Sequence, residues 1–205
     1  KNRKTVLKEL GKESASLVIP IQKHTNICKI ITENDSYNVT ADALVTKSEK
    51  LVLCILTADC VPILLHERQK NIIGAIHAGW KGAKNNIIEN TLMKVQELGG
   101  KIENISIVIG PCIQQKSYEV GNEFLDNFVI DDDKNKELFI QVNQKYYFDL
   151  PRYCINKIKN CGVREIGNIK KCTYENSNEF FSFRRSLHLK EMDYGRQANA
   201  ITINK

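Results

Sequence analysis

Three apolar runs follow one another almost without a break: LVLCILT (51–57), VPILLHE (61–67) and NIIGAIHA (71–78). Only ADC and the polar RQK turn separate them. A strand with one wet face alternates apolar and polar residues, whereas near-continuous apolar character marks strands covered on both faces. The chain therefore needs a strand-rich core with cover on either side. ISIVI (105–109) adds a further strand of the same kind, closed by Gly110-Pro111-Cys112. LVIPI (17–21) and ICKIIT (27–32) are β-rich, and Pro20 puts the first at a sheet edge or strand end. Val163–Ile169, Glu179–Arg184 and Ala198–Ile203 supply the last expected strands. Lys84–Leu98 carries its apolar residues on one helical face and ends at Gly99-Gly100. Val120, Phe124 and Phe128 repeat at helical spacing. Pro151 fits the first turn of a helix that runs to about Cys161. Helices and strands mix throughout, with no repeat or low-complexity linker. The expected fold is a single α+β domain over residues 1–205.

Composition narrows the function classes. Thirty lysines and arginines against 24 acids leave a net charge of +6. The lysines are spread along the chain, with no dense basic block interleaved with aromatics, so a solvated surface is read rather than a nucleic-acid face. The longest apolar runs are too short to span a bilayer, and no secretory signal is visible. The seven cysteines are odd in number and follow no framework spacing, which fits reduced thiols in the cytoplasm.

The chemistry-bearing residues gather at strand ends. QKH (22–24), TADC (57–60) and HAGW (77–80) each interrupt apolar sequence, and they supply His24, Cys60 and His77. Two imidazoles and a thiolate suit zinc with an open fourth position, where a bound water has its pKa brought down to roughly 7. Copper tolerates the same set. Two other readings stand beside this one: Cys60 and His77 as a thiol nucleophile with its base, or a surface histidine, a core thiol and a turn residue. Asp59 either orients a ligand histidine or caps a turn. Asp42 sits amid apolar neighbours and either serves the site or makes a structural hydrogen bond. Trp80 either stacks a purine or plugs the core. Arg184 and Arg185 suit phosphate or carboxylate, or make a plain solvated strand end. His66 and His188 read as surface residues, and Cys112 as a packing thiol.

QKH, ADALVT, TADCVPILL, IHAGWKG, IGPCI, YEVG and FFSFRR occur in an order that resembles the laccase-domain family, also called YfiH-like, polyphenol oxidase or peptidoglycan editing factor. The resemblance extends from about Asn2 to Ile203. It implies a mixed β-sandwich covered by helices, with His24, Cys60 and His77 as metal ligands. It further implies a cytoplasmic zinc enzyme that phosphorolyses adenosine, inosine, guanosine and methylthioadenosine and deaminates adenosine. Alternative family assignments are copper-dependent polyphenol oxidation and hydrolytic editing of peptidoglycan precursors. On this reading Asp42, Asp59 and Arg184 are the candidate catalytic groups, and Trp80, Lys81 and Arg185 the substrate contacts. The implied partners are purine nucleosides and phosphate, not nucleic acid or a membrane; nothing bears on oligomeric state. Two departures from the family pattern are visible. A front segment with a Gly-Gly-x-Ser motif is expected before Asn2-Arg3 and is not among these 205 residues. The usual Arg-Arg-Asp-Gly is replaced by Arg184-Arg185 leading into SLHLKEMDY before Gly195-Arg196.

Overall fold

The computed structural model describes residues 2–35 and 37–204. The chain starts with α1 (Asn2–Glu9), β1 (Ser16–Val18), β2 (Cys28–Ile30) and β3 (Ala43–Thr46). The three apolar runs form β4 (Leu51–Thr57), β5 (Val61–Glu67) and β6 (Ile72–Ala78). Then follow α2 (Trp80–Lys84), α3 (Ile87–Glu97), β7 (Ile105–Ile109), β8 (Glu119–Val120) and α4 (Asn122–Val129). The chain closes with β9 (Phe139–Val142), β10 (Lys145–Phe148), α5 (Leu150–Asn160), β11 (Glu165–Asn168), α6 (Phe183–Leu189) and β12 (Gln197–Thr202).

These strands make a mixed six-stranded sheet, ordered β11-β7-β5-β6-β3-β2, and two three-stranded sheets, β1-β4-β12 and β8-β10-β9. The β5–β6 hairpin is the centre of the large sheet, in register from Val61 opposite Ala78 to Glu67 opposite Ile72. Two cores explain the apolar runs. On one face Val45, Ile63, Ile72 and Ile76 pack with Ile87, Leu92 and Val95 of α3 and with Tyr153 and Ile158 of α5. On the other, Leu44, Ile73 and Ala75 meet Val18, Leu53 and Ile55 of the β1-β4-β12 sheet and Ile203 just after β12. Neighbours such as Leu44 and Val45 thus belong to different cores, because successive strand residues point to opposite faces. The fold is the mixed sandwich with helical cover that the motifs imply. Among the described residues no helix is long and apolar enough to cross a membrane.

Local chemistry sets the element ends. Asp149 accepts from the Arg152 amide and caps α5, with Pro151 in its first turn. The helix expected over Lys84–Leu98 is α3 and starts later, at Ile87, because Asn86 takes a left-handed φ of 70° between it and the short α2. The strand expected at Glu179–Arg184 is not one. Ser182 accepts from the Arg185 amide and begins α6 instead. A hydroxyl at an N-cap outweighs the β-propensity of the aromatic residues around it.

Leu53 is fully buried between the two sheets. Leu53→Ala should cost about 2–5 kcal/mol in a denaturant titration; a loss below about 1 kcal/mol would contradict the two-core description.

Candidate metal centre

Asp42 is fully buried at the entrance to β3. Its carboxylate accepts five hydrogen bonds. The amides of Lys23, His24 and Thr25 reach it at 3.2, 3.0 and 2.6 Å, and the Thr25 hydroxyl at 2.7 Å. The fifth comes from Nδ1 of His77, at 2.7 Å. Burial works to raise the pKa of this carboxyl. The bonds from His77, Thr25 and Lys23 outweigh it and hold the group well below the usual carboxylate range. One side chain therefore wraps the 23–25 turn and orients the imidazole at the end of β6.

His77 is pulled in both directions too. Desolvation lowers its pKa, but Asp42 and Cys60 push it up to about 9. With Nδ1 held by Asp42, Nε2 is left to face the site. Cys60 follows Asp59, whose φ of 83° turns the chain sharply out of β4. Burial raises the Cys60 thiol, while His24 and His77 bring it down to about 7, favouring the thiolate that binds metals. His24 completes the set from a left-handed position, φ 57°. Its Nε2 lies 3.7 Å from the Cys60 sulfur, and its ring stands edge-on to His77 with centroids 4.8 Å apart. The donor atoms of all three lie within 4.8 Å of one another.

The donor chemistry fits a metal with two nitrogen ligands and one sulfur ligand. Gly79 leaves the room. An added Cβ there would stand 2.6 Å from His24 Cδ2 and 3.1 Å from the Cys60 sulfur. Gln22 anchors the turn that carries His24. Its side-chain amide bonds both the N–H and the C=O of Leu56 at 2.8 Å, pairing with β4 as a strand residue would.

A cavity of about 400 Å³ opens beside His24 and Cys60. Trp80, Tyr118 and Phe183 supply aromatic surface to it, and Lys23, Lys81 and Arg184 positive charge. Trp80 packs edge-to-face on Phe124 at 4.9 Å, so it anchors the core while lining the cavity. The Lys81 ammonium sits 5.4 Å from the Trp80 ring centre. The Arg184 guanidinium lies 5.2 Å over Tyr118, and its Nη1 donates to the Glu119 carbonyl at 2.8 Å. Burial pushes the Tyr118 phenol pKa upward, so the hydroxyl stays neutral.

Three assignments made from sequence change here. Arg185 is not a substrate contact. Its guanidinium donates to the carbonyls of Thr173, Tyr174 and Phe180, so it is spent on holding the backbone before α6. Asp42 is a positioning residue, since all its bonds go to His77 and the 23–25 turn. Asp59 lines the cavity, yet its oxygens accept from Thr173 Oγ1 at 2.6 Å, Ser182 Oγ at 2.9 Å and the Arg184 amide at 2.6 Å. It ties the Cys60 turn to α6 through these three bonds. Lys23, Tyr118 and Phe183 line the cavity without having been expected from sequence. Lys23 stands beside His24 in QKH, and Tyr118 and Phe183 stand in YEVG and FFSFRR, the motifs that carry the resemblance.

The molecule is a mixed sheet sandwich with helical cover whose connecting turns bring together a His-Cys-His donor set that could hold a metal. Comparison with known proteins makes the class specific. The family described as multi-copper polyphenol oxidoreductase laccase matches residues 1–204, and the chain belongs to it. It is 42% identical over 183 residues to a protein of Rickettsia conorii named purine nucleoside phosphorylase, covering 87% of this chain and 75% of that one. A Bacteroides thetaiotaomicron protein of the same name is 32% identical, with 100% of this chain and 80% of the other covered. The crystal structure of Bacillus licheniformis YfiH superposes with a TM-score of 0.89 at 25% identity, over 99% of this chain and 80% of that one.

Two substitutions test the centre. Gly79→Ala should displace His24 and weaken metal binding by at least about tenfold in a chelator competition, the scale of losing support around a ligand. Cys60→Ala should purify with far less metal than the unmodified chain by elemental analysis; equal contents would remove Cys60 from the ligand set.

Proposed function

We propose that this chain is a zinc-dependent purine nucleoside phosphorylase. The observation that carries this reading is the junction of the His24–Cys60–His77 centre with a cationic, aromatic-walled cavity. A volume of about 400 Å³ lies in the usual range for small-molecule sites. Trp80 and Tyr118 offer flat surface to a purine. Lys81 and Arg184, held against those rings, would meet the negative charge that develops on the departing base. His24, Cys60 and His77 would hold the metal, which supplies Lewis acidity at an open coordination position. In phosphorolysis a phosphate oxygen bonds to ribose C1′ as the bond from C1′ to the purine nitrogen breaks. The bond's electrons leave with the base, which takes up the proton of the hydrogen phosphate. The transition state has oxocarbenium character, as in glycoside cleavage. The names of the relatives support the same reaction for this chain. Adenosine, inosine, guanosine and methylthioadenosine are the proposed substrates.

The resemblance also implies adenosine deamination. That reaction needs a group that moves a proton beside the metal, as the glutamate does in nucleobase deaminases. Asp42 accepts five hydrogen bonds and Asp59 three, all from groups that hold the fold, which favours phosphorolysis over deamination. Among the described residues one His/Cys/acid group can hold a metal, which suits a mononuclear centre better than multi-copper oxidation.

Metal-replete protein incubated with inosine and phosphate should release hypoxanthine and ribose 1-phosphate, resolved by chromatography. Arg184→Ala should lower kcat/KM by about 10²–10³-fold, the usual cost of removing one preorganised donor to developing charge. Adenosine supplied without phosphate tests deamination in the same assay, through inosine formation. Absence of free base from all four nucleosides would overturn the phosphorylase reading.

A further inference from the structure

A second cavity, of about 270 Å³, adjoins the first across the metal centre. His24, Ala58 and Cys60 line both, while His77 lines only the second. Tyr194 and Arg196 also line it, and no carboxylate does among the described residues. The segment that carries them is firmly placed. Gln197 pairs its amide with the N–H and C=O of Phe181, at 3.1 and 3.3 Å. Gly195 lies so close to the Phe181 ring that an added Cβ would stand within 2.6 Å of it. Tyr194 packs on Phe183 with ring centres 5.1 Å apart.

The guanidinium of Arg196 differs from the other two near the centre. Arg185 is spent on three carbonyls, and Arg184 is bonded to Glu119 and stacked on Tyr118. Arg196 lies over the Tyr194 ring at 4.7 Å and donates to its hydroxyl at 3.3 Å. The arginine–carboxylate pairs among the described residues belong to Arg68 and Arg152. Most of the Arg196 fork is therefore open to a ligand, with the bidentate geometry that suits phosphate.

We infer that this second cavity is the phosphate subsite, with Arg196 as its binding residue. The inference rests on the phosphorylase reading. A displacement at C1′ needs the incoming oxygen and the leaving purine on opposite faces of the ribose. Two cavities meeting at the metal centre provide that arrangement. The aromatic one takes the base and the carboxylate-free one takes hydrogen phosphate.

Calorimetric titration of inorganic phosphate into metal-replete protein tests this without any turnover. Arg196→Ala should weaken phosphate binding at least about tenfold, the scale of a lost hydrogen bond to a charged group. Arg196→Lys should recover part of that loss. Nucleoside affinity, read from quenching of the single tryptophan, should stay within about twofold for both variants, while KM for phosphate rises in step with its dissociation constant. A phosphate affinity that falls with Arg184→Ala and not with Arg196→Ala would overturn the assignment and move the anion to the first cavity. Failure of the unmodified protein to bind phosphate would also overturn it. If phosphate binds through Arg196 and no base is ever released, the subsite stands and the phosphorylase reading falls.

Discussion

The buried carboxylate of Asp42 organises the rest of the centre. A carboxylate without exposure survives only if its charge is fully met, and stripping partners from such a group costs about 3–5 kcal/mol. Here it is met by three amides, a hydroxyl and an imidazole. Those partners belong to two separate pieces of chain, the 23–25 turn and the end of β6. Satisfying one charge therefore brings His24 and His77 to the same place. The left-handed φ of His24 is a modest strain, held by this network.

The sheets decide what surrounds that point. β4, β5 and β6 follow directly in sequence, but β4 joins one sheet while β5 and β6 form the middle of the other. The TADC turn is the crossing between them, and Asp59 locks it to the start of α6 through Thr173, Ser182 and the Arg184 amide. The same contacts that shape the turn carry Arg184 to the cavity wall. Metal centre and cavity share supports, so a change in the Asp59 network acts on both.

Much of this was legible beforehand, for identifiable reasons. Strands buried on both faces leave a strong signal, and β4 to β7 were readable from apolar runs alone. Helix starts with local chemistry, such as Pro151 in the first turn of α5, were readable as well. α6 was misread because FFSFRR is rich in β-formers, and the Ser182 hydroxyl that starts the helix is a small local cue. Arg185 was misread because nothing in a sequence tells whether a guanidinium faces a cavity or three backbone carbonyls. Tyr118 and Phe183 escaped notice since an aromatic residue lining a cavity looks like one filling a core.

By itself the sequence determined which side chains were available for chemistry: His24, Cys60 and His77 at strand ends, with glycine beside the last. It also determined the two-faced burial of the central strands, because apolar continuity and strand period are local properties. Only the tertiary structure decided that the three donors converge within 4.8 Å. It also decided which groups the carboxylates of Asp42 and Asp59 accept from, and that Arg184, Arg185 and Arg196 have different partners. Those outcomes depend on which distant backbone groups reach each charge first. Sequence order does not encode that, because the partners of Asp59 lie more than a hundred residues away.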